Sequence, residues 1–556
     1  MDYFDIDVFS RPVTAANADA QLWFDRGLTW CYGYSHEEAI ACFRRAIEAD
    51  PDCAMAHWGV AYASGPNYNF PWVRMDEATK ATYLGAAFDA MQAALALADR
   101  VTPVECALIK ALPARYPQRE PIEDQSVWDD AFADAMREVW RDFHADLEVT
   151  SIFAEAILNR TPWQMWDLKT GGVAAGAGTE EARHVLEEAL NAFPAAWDHP
   201  GILHLYVHLM EMSPFPEKAL KAGDRLRELV PDAGHLIHMP THIDILCGHY
   251  HDVLLWNEKA IEADRKYVER VGAMNFYAGY RLHNYHFAIY GALFLGQYAP
   301  ALAAAEEMVA VTPEELLRVE TPPMADFLES YLSMKPHVLI RFGKWRELIA
   351  EPLPEDCELY CNMVATLHYA KGVAHAALGE VEDAEREREL FLAAKAKVPQ
   401  TRLLHNNKCT DLLEIADAMQ LGEIEYRKGN YDEAFAHLRR SVAIDDNLPY
   451  DEPWGWMQPT RHALGALTLE QGRIEEAEAV YREDLGLGGE LSRATIHPDN
   501  VWSLRGLHQC LEKRGAADTA EARLIRQRLD LAAARADTPV KASCFCAQAA
   551  MKAAAE

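Results

Sequence analysis

The chain has 556 residues, half of them hydrophobic and a quarter charged, enough apolar material for a large core and too much for global disorder. Acidic residues number 86 against 53 basic ones, a net charge of −33. That balance excludes a basic nucleic-acid face and docking on anionic membranes. Asp2, Asp5 and Asp7 precede the first basic residue, so no signal peptide is expected. No apolar run is long enough for a membrane span. Eleven scattered Cys, an odd count, fit a reducing cytoplasm better than a disulfide scaffold.

In chain order, apolar residues recur at spacings of three and four, with little β-branched alternation, which predicts an all-α fold. The first repeat is legible between residues 23 and 51. Trp23, Gly27, Trp30, Ala39, Phe43, Ala46 and Pro51 occupy the places that a 34-residue tetratricopeptide repeat (TPR) reserves for such residues. Gly27 and Ala39 allow close helix approach, the aromatics fill the space between, and Pro51 ends the second helix. Ser35 and Glu38 have capping-box spacing.

Further copies follow. One closes at Ala219–Pro231, and the next are anchored at Gly248, Gly296, Gly343, Gly379, Gly429, Gly472 and Gly515. The expected fold is a TPR-type α-solenoid, a right-handed superhelix of helix–turn–helix repeats with inserted loops over the concave face. Three parts are expected. Residues 1–145 hold N-terminal repeats and a Pro-rich insertion, 146–350 central repeats with a His-rich groove, and 351–556 C-terminal repeats and a tail. Thr102–Asp124, Arg265–Tyr280 and Asp445–Thr460 read as irregular insertions.

Ten of the 22 His fall between His199 and His286, a clear excess over uniform placement. His204 and His208 are i,i+4. His235, His238 and His242 follow at i, i+3, i+7, and His283 and His286 at i,i+3. Counted from each repeat's own helix start, these seven fill groove-facing places in three consecutive repeats, with Gly201 and Tyr290 in the remaining two. His337 falls on a corresponding place of the next repeat. Neighbouring helices lie about 8–10 Å apart, so side chains from three of them can meet. Glu211 is i+3 from His208, and Glu155 lies on the preceding helical stretch. Pro240 starts or kinks a helix between His238 and His242.

Clustered neutral imidazoles with some carboxylate suit Cu, Fe or Zn, as one ion or two, better than Ca or Mg. The expectation is a metal-dependent enzyme acting on a small organic substrate, with Glu211 and Glu155 as ligand or base. Oxidative chemistry comes first and hydrolysis by a metal-activated water second. A TPR scaffold for a peptide or protein partner and a pH-responsive groove are the alternatives. His57, His368 and His375 fall on packing places, and His249 and His251 on a turn. Cys31, Cys42 and Cys53 read as core residues. Cys544 and Cys546 form a weak CxC signal for a soft metal or redox pair.

The strings HLYVHLME (His204–Glu211), GHLIHMPTHI (Gly234–Ile243), HNYHF (His283–Phe287) and PDNVWSLRGL (Pro498–Leu507) resemble a bacterial group of TPR proteins, itself similar to the tetratricopeptide repeat protein 38-like family. The resemblance implies a single TPR solenoid. It supplies no reaction.

Overall fold

The computed structural model describes residues 3–547. Asp2 of the acidic leader and residues 548–556 of the tail lie outside the described residues. The chain folds as two units, Met1–Ile243 with Lys259–Arg281, and Asp244–Glu258 with Leu282–Glu556. Each is a stretch of all-α, TPR-type solenoid, built from helical hairpins in which each helix packs on its neighbours in the chain. Strand structure among the described residues is a two-residue antiparallel pairing, Leu403–Leu404 with Asn407–Lys408.

The first unit opens with α1 (Ala18–Tyr32), α2 (His36–Ala49), α3 (Ala54–Ala63), α4 (Glu77–Leu97), α5 (Pro103–Arg115) and α6 (Ser126–Phe143). It continues through α7 (Leu147–Leu158), α8 (Thr179–Ala192), α9 (Pro200–Glu211), α10 (Leu220–Leu226) and α11 (Gly234–His238). The residues of α12 (Thr241–Leu246), α13 (Tyr250–Val271) and α14 (Ala278–Leu295) are divided between the two units. Helix pairs of the second unit include Cys361–Ala377 with Val381–Lys395 and Arg461–Glu470 with Ile474–Asp484.

The repeat residues do what their positions imply. The ring of Phe43 on α2 fills the space between Gly27 of α1 and Gly59 of α3, and a Cβ at either glycine would lie 2.6 Å from it. The second unit repeats the device with Tyr481, against which a Cβ at Gly465 would lie 2.6 Å away and one at Gly506 2.1 Å away. An aromatic ring between two glycines lets three helices approach closely, which is why these places tolerate no side chain. Cys31, Cys42 and Cys53 are buried, as expected of core residues.

Three local expectations fail. Ser35 does not close a capping box: its hydroxyl bonds Tyr267 Oη at 3.2 Å, and Glu38 accepts from Tyr3 Oη at 2.7 Å. Tertiary partners take both side chains. A capping box does form at Thr102 and Glu105, inside the stretch read as irregular. Pro103 stands at the first helical position, where its missing N–H costs nothing, so it begins α5 rather than breaking one. Likewise α13 runs through to Val271, leaving only a short connection before α14.

Cys544 and Cys546 are joined as a disulfide, and both pack against the core around Phe435, Leu438 and Leu464. Among the described residues, no helix is long and apolar enough to cross a membrane.

Candidate metal centre

Helix α9 begins with Pro200 at its first position, and the His199 side chain accepts from the Ile202 amide at 3.2 Å. The helix therefore presents His204 and His208 one turn apart on one face. Gly201 lacks a side chain because α9 runs close to its neighbours: a Cβ there would lie 2.5 Å from the Tyr32 ring and 2.4 Å from Ser151 Oγ. Helix α11 carries His235 and His238 and stops after five residues at Met239-Pro240. Helix α12 restarts the chain at Thr241, whose hydroxyl donates to the His238 carbonyl at 2.6 Å. This break re-aims His242, so that its Nε2 lies 2.8 Å from His238 Nε2.

Five imidazoles of the first unit thus form a continuous row. Ring centroids are separated by 4.7 Å for His204–His208, 5.0 Å for His204–His235 and 5.8 Å for His235–His238. They are 4.7 Å apart for His238–His242. All five residues are at most 2% exposed. His204, His208 and His235 each offer a nitrogen within 4.8 Å of the other two, a spacing that could hold one ion.

Hydrogen bonds fix which nitrogens face inward. His204 donates from Nδ1 to the Tyr32 carbonyl at 2.7 Å, which leaves a lone pair on Nε2. That Nε2 is buried with no hydrogen-bond partner. Both ring nitrogens of His235 are also buried without one. Glu211, fully buried, accepts from His208 Nδ1 at 3.0 Å and from His242 Nδ1 at 2.8 Å. One carboxylate therefore orients two rings, as carboxylates hydrogen-bonded to the outer nitrogen of metal-ligating histidines do. Burial holds His204 down to about 3, with His242 adding to the effect, and pushes His235 well below the ordinary range, helped by the neighbouring imidazoles. These rings stay neutral, as ligands must be.

Tyrosines cover the row. The Tyr68 ring lies 4.5 Å from His208, Tyr280 lies 4.8 Å from His235, and Tyr34 lies 4.7 Å from His204. Glu155 on α7 is buried and accepts from Tyr62 Oη. Burial raises its pKa against the pull of Arg115. It is held by a phenol, whereas Glu211 is held by imidazoles.

His283 and His286 stand on the part of α14 that belongs to the second unit. The His283 and His405 rings are 5.1 Å apart, and His286 Nε2 lies 2.9 Å from Met457 Sδ. The carboxylate of Asp451 accepts from His405 Nδ1. His337, also in this unit, packs its ring 4.9 Å from Trp456. His405 escaped the sequence reading because it sits in the turn of the small hairpin, at φ 49°, where helical spacing carries no signal. Tyr34 escaped it for the same reason, since it lies between helices. His368 and His375 are engaged by Glu387 and Glu380, each at 2.7 Å. Two more exposed groups have ligand spacing, Asp244–His249–Asp252 and His375–Glu380–Asp383.

Two segments match the tetratricopeptide repeat family, residues 35–53 and residues 414–485. No curated protein matches the chain. Two solved structures are similar at 12% identity. One is the APC/C hetero-tetramer Cut9-Hcn1, covering 94% of this chain and 90% of that one with a TM-score of 0.29. The other is Naa15/Naa10 bound to HypK-THB, covering 96% and 74% with a TM-score of 0.21. The chain is a TPR-containing protein, with matched repeats near its start and in its last third.

Proposed function

We propose that the first unit is a metal-dependent enzyme. Its histidine row would hold one or two first-row transition metals, with His204, His208 and His235 as one ligand set and His238 and His242 as the core of a second. The observation that carries this reading is the set of buried, unpartnered nitrogens on His204 and His235. A buried polar atom without a partner costs about 1–3 kcal/mol, and a fold does not gather several without use. A metal ion ligated by His204 Nε2 and by one nitrogen of His235 gives each ring a partner at once.

Glu211 positions two ligands. Glu155, with its raised pKa and its phenol partner, is the candidate base. His283 and His286 lie in the second unit, where the His405 ring is 5.1 Å from that of His283, and they are further candidate ligands. An imidazole-rich shell favours Cu or Fe, so oxidative chemistry on a small organic substrate is the first assignment. Hydrolysis is the second reading, because three neutral histidines with an open position also suit a Zn-bound water. The alternatives draw less support. Groove places filled by buried imidazoles offer little to an extended peptide, and a ring held near 3 does not titrate in the physiological range. The resemblance to the tetratricopeptide repeat protein 38-like family agrees with the repeat array and leaves the reaction open.

The test is equilibrium dialysis of metal-free protein against Cu, Fe(II) and Zn. Saturable binding of one or two ions is expected, weakened at least tenfold in His204→Ala and His235→Ala. Equal binding by parent and variants would overturn the assignment.

A further inference from the structure

Helix α2 is preceded by a turn that differs from its counterparts. In six later repeats the residue two places before the second helix is glycine: Gly248, Gly296, Gly343, Gly379, Gly429 and Gly472. All six adopt φ between 64° and 85°, a region that glycine enters without steric penalty. The first repeat places Tyr34 there, at φ 54°. A bulky side chain in the left-handed region is strained, and such strain persists where surrounding structure holds it for a use.

The held ring lies over the three-histidine set. Its centroid is 4.7 Å from His204, 6.0 Å from His208 and 5.5 Å from His235, and it stacks within 20° and 29° of the last two. The Tyr34 hydroxyl is buried without a hydrogen-bond partner, so no polar anchor explains the placement. The residue also lines a cavity of about 30 Å³, together with His36, Asn67, Phe70, Tyr83 and Tyr280. That cavity is walled mainly by aromatic groups. Burial holds His36 down to about 4, so this ring brings no charge to the lining, and burial also raises the Glu37 carboxyl.

We propose that Tyr34 is a gate: its ring separates the His204–His208–His235 face from this cavity and admits only small neutral molecules, of dioxygen or water size. The nature of what passes rests on the metal reading above; the gate itself does not. Tyr34→Gly installs the residue that six other turns of this chain already use, and Tyr34→Asn tolerates the same backbone region. Both are compared with Tyr34→Phe, which keeps the ring.

The full-length, metal-free protein is treated with diethyl pyrocarbonate, which acylates accessible neutral imidazole, and modification is read at His204 and His235 by peptide mass spectrometry. Circular dichroism verifies folding. The gate predicts at least tenfold faster acylation in Tyr34→Gly and Tyr34→Asn, with Tyr34→Phe matching the parent. Rates within twofold of the parent in both ring-deleted variants, or equal acceleration by Tyr34→Phe, would overturn it. Dialysis against metals is a separate readout, so a protein that binds no metal yet shows the acceleration sinks the proposed function and leaves the gate standing.

Discussion

His242 donates its Nδ1–H to Glu211 Oε2 at 2.8 Å, across the break that Pro240 makes between α11 and α12. The other oxygen of the same carboxylate accepts from His208 Nδ1 on α9. Glu211 thus sets the tautomer of two rings from two helices, and both Nε2 atoms are left to face other imidazoles.

Glu211→Gln should therefore weaken metal binding by about 10–100-fold while leaving the fold intact. An amide offers one acceptor oxygen, so only one of the two rings keeps its orientation. Calorimetric titration of the metal-free variant measures the loss, and an unchanged affinity would show that the carboxylate does not orient ligands.

Phe43 is the packing key of the first repeat. Phe43→Ala should destabilise the chain by about 3–5 kcal/mol, because the ring fills the gap between Gly27 and Gly59, neither of which has a side chain to take its place. Gly59→Val should destabilise comparably by the opposite route, driving a side chain into the ring. Urea unfolding of both variants checks this. A variant as stable as the parent would mean that the three helices are not held at this contact.

Asp129 on α6 gives a pH signature. Burial pushes its carboxyl up to about 7, against the opposing pull of Arg115. An unfolded aspartate titrates near ~3.9. Between the two values the folded chain binds more protons than the unfolded one, so this residue's contribution to stability falls as pH rises from about 4 to about 7. Asp129→Asn removes that slope. Relative to the parent, the variant should gain on the order of 3 kcal/mol between pH 4 and pH 8. Urea midpoints measured across that range test the sign, and a parallel pH dependence in both proteins would contradict it.

The repeat framework was legible because each of its places has a steric reason. Gly27, Phe43 and the turn glycines leave a pattern that survives in one sequence. The histidine row was legible because α9 and α11 keep helical register, so that His204, His208, His235 and His238 are brought together as counted. What spacing could not reveal lies between helices. Tyr34 occupies a turn where the pattern gives glycine, and His405 belongs to a hairpin. Proline misled at Thr102–Asp124, since Pro103 starts α5 and Pro113 lies inside it. Ser35 and Glu38 misled because capping spacing is local, while Tyr267 and Tyr3 reach them from distant parts of the chain.

The most direct test of the histidine row as a metal site is elemental analysis of protein purified without a polyhistidine tag, beside a His204→Ala/His208→Ala/His235→Ala variant verified as folded by circular dichroism. One or two equivalents of Cu, Fe or Zn in the parent, with at least one equivalent lost from the variant, is the predicted result. A parent that carries no stoichiometric metal, and takes up none when incubated with Cu, Fe(II) and Zn, would contradict the account.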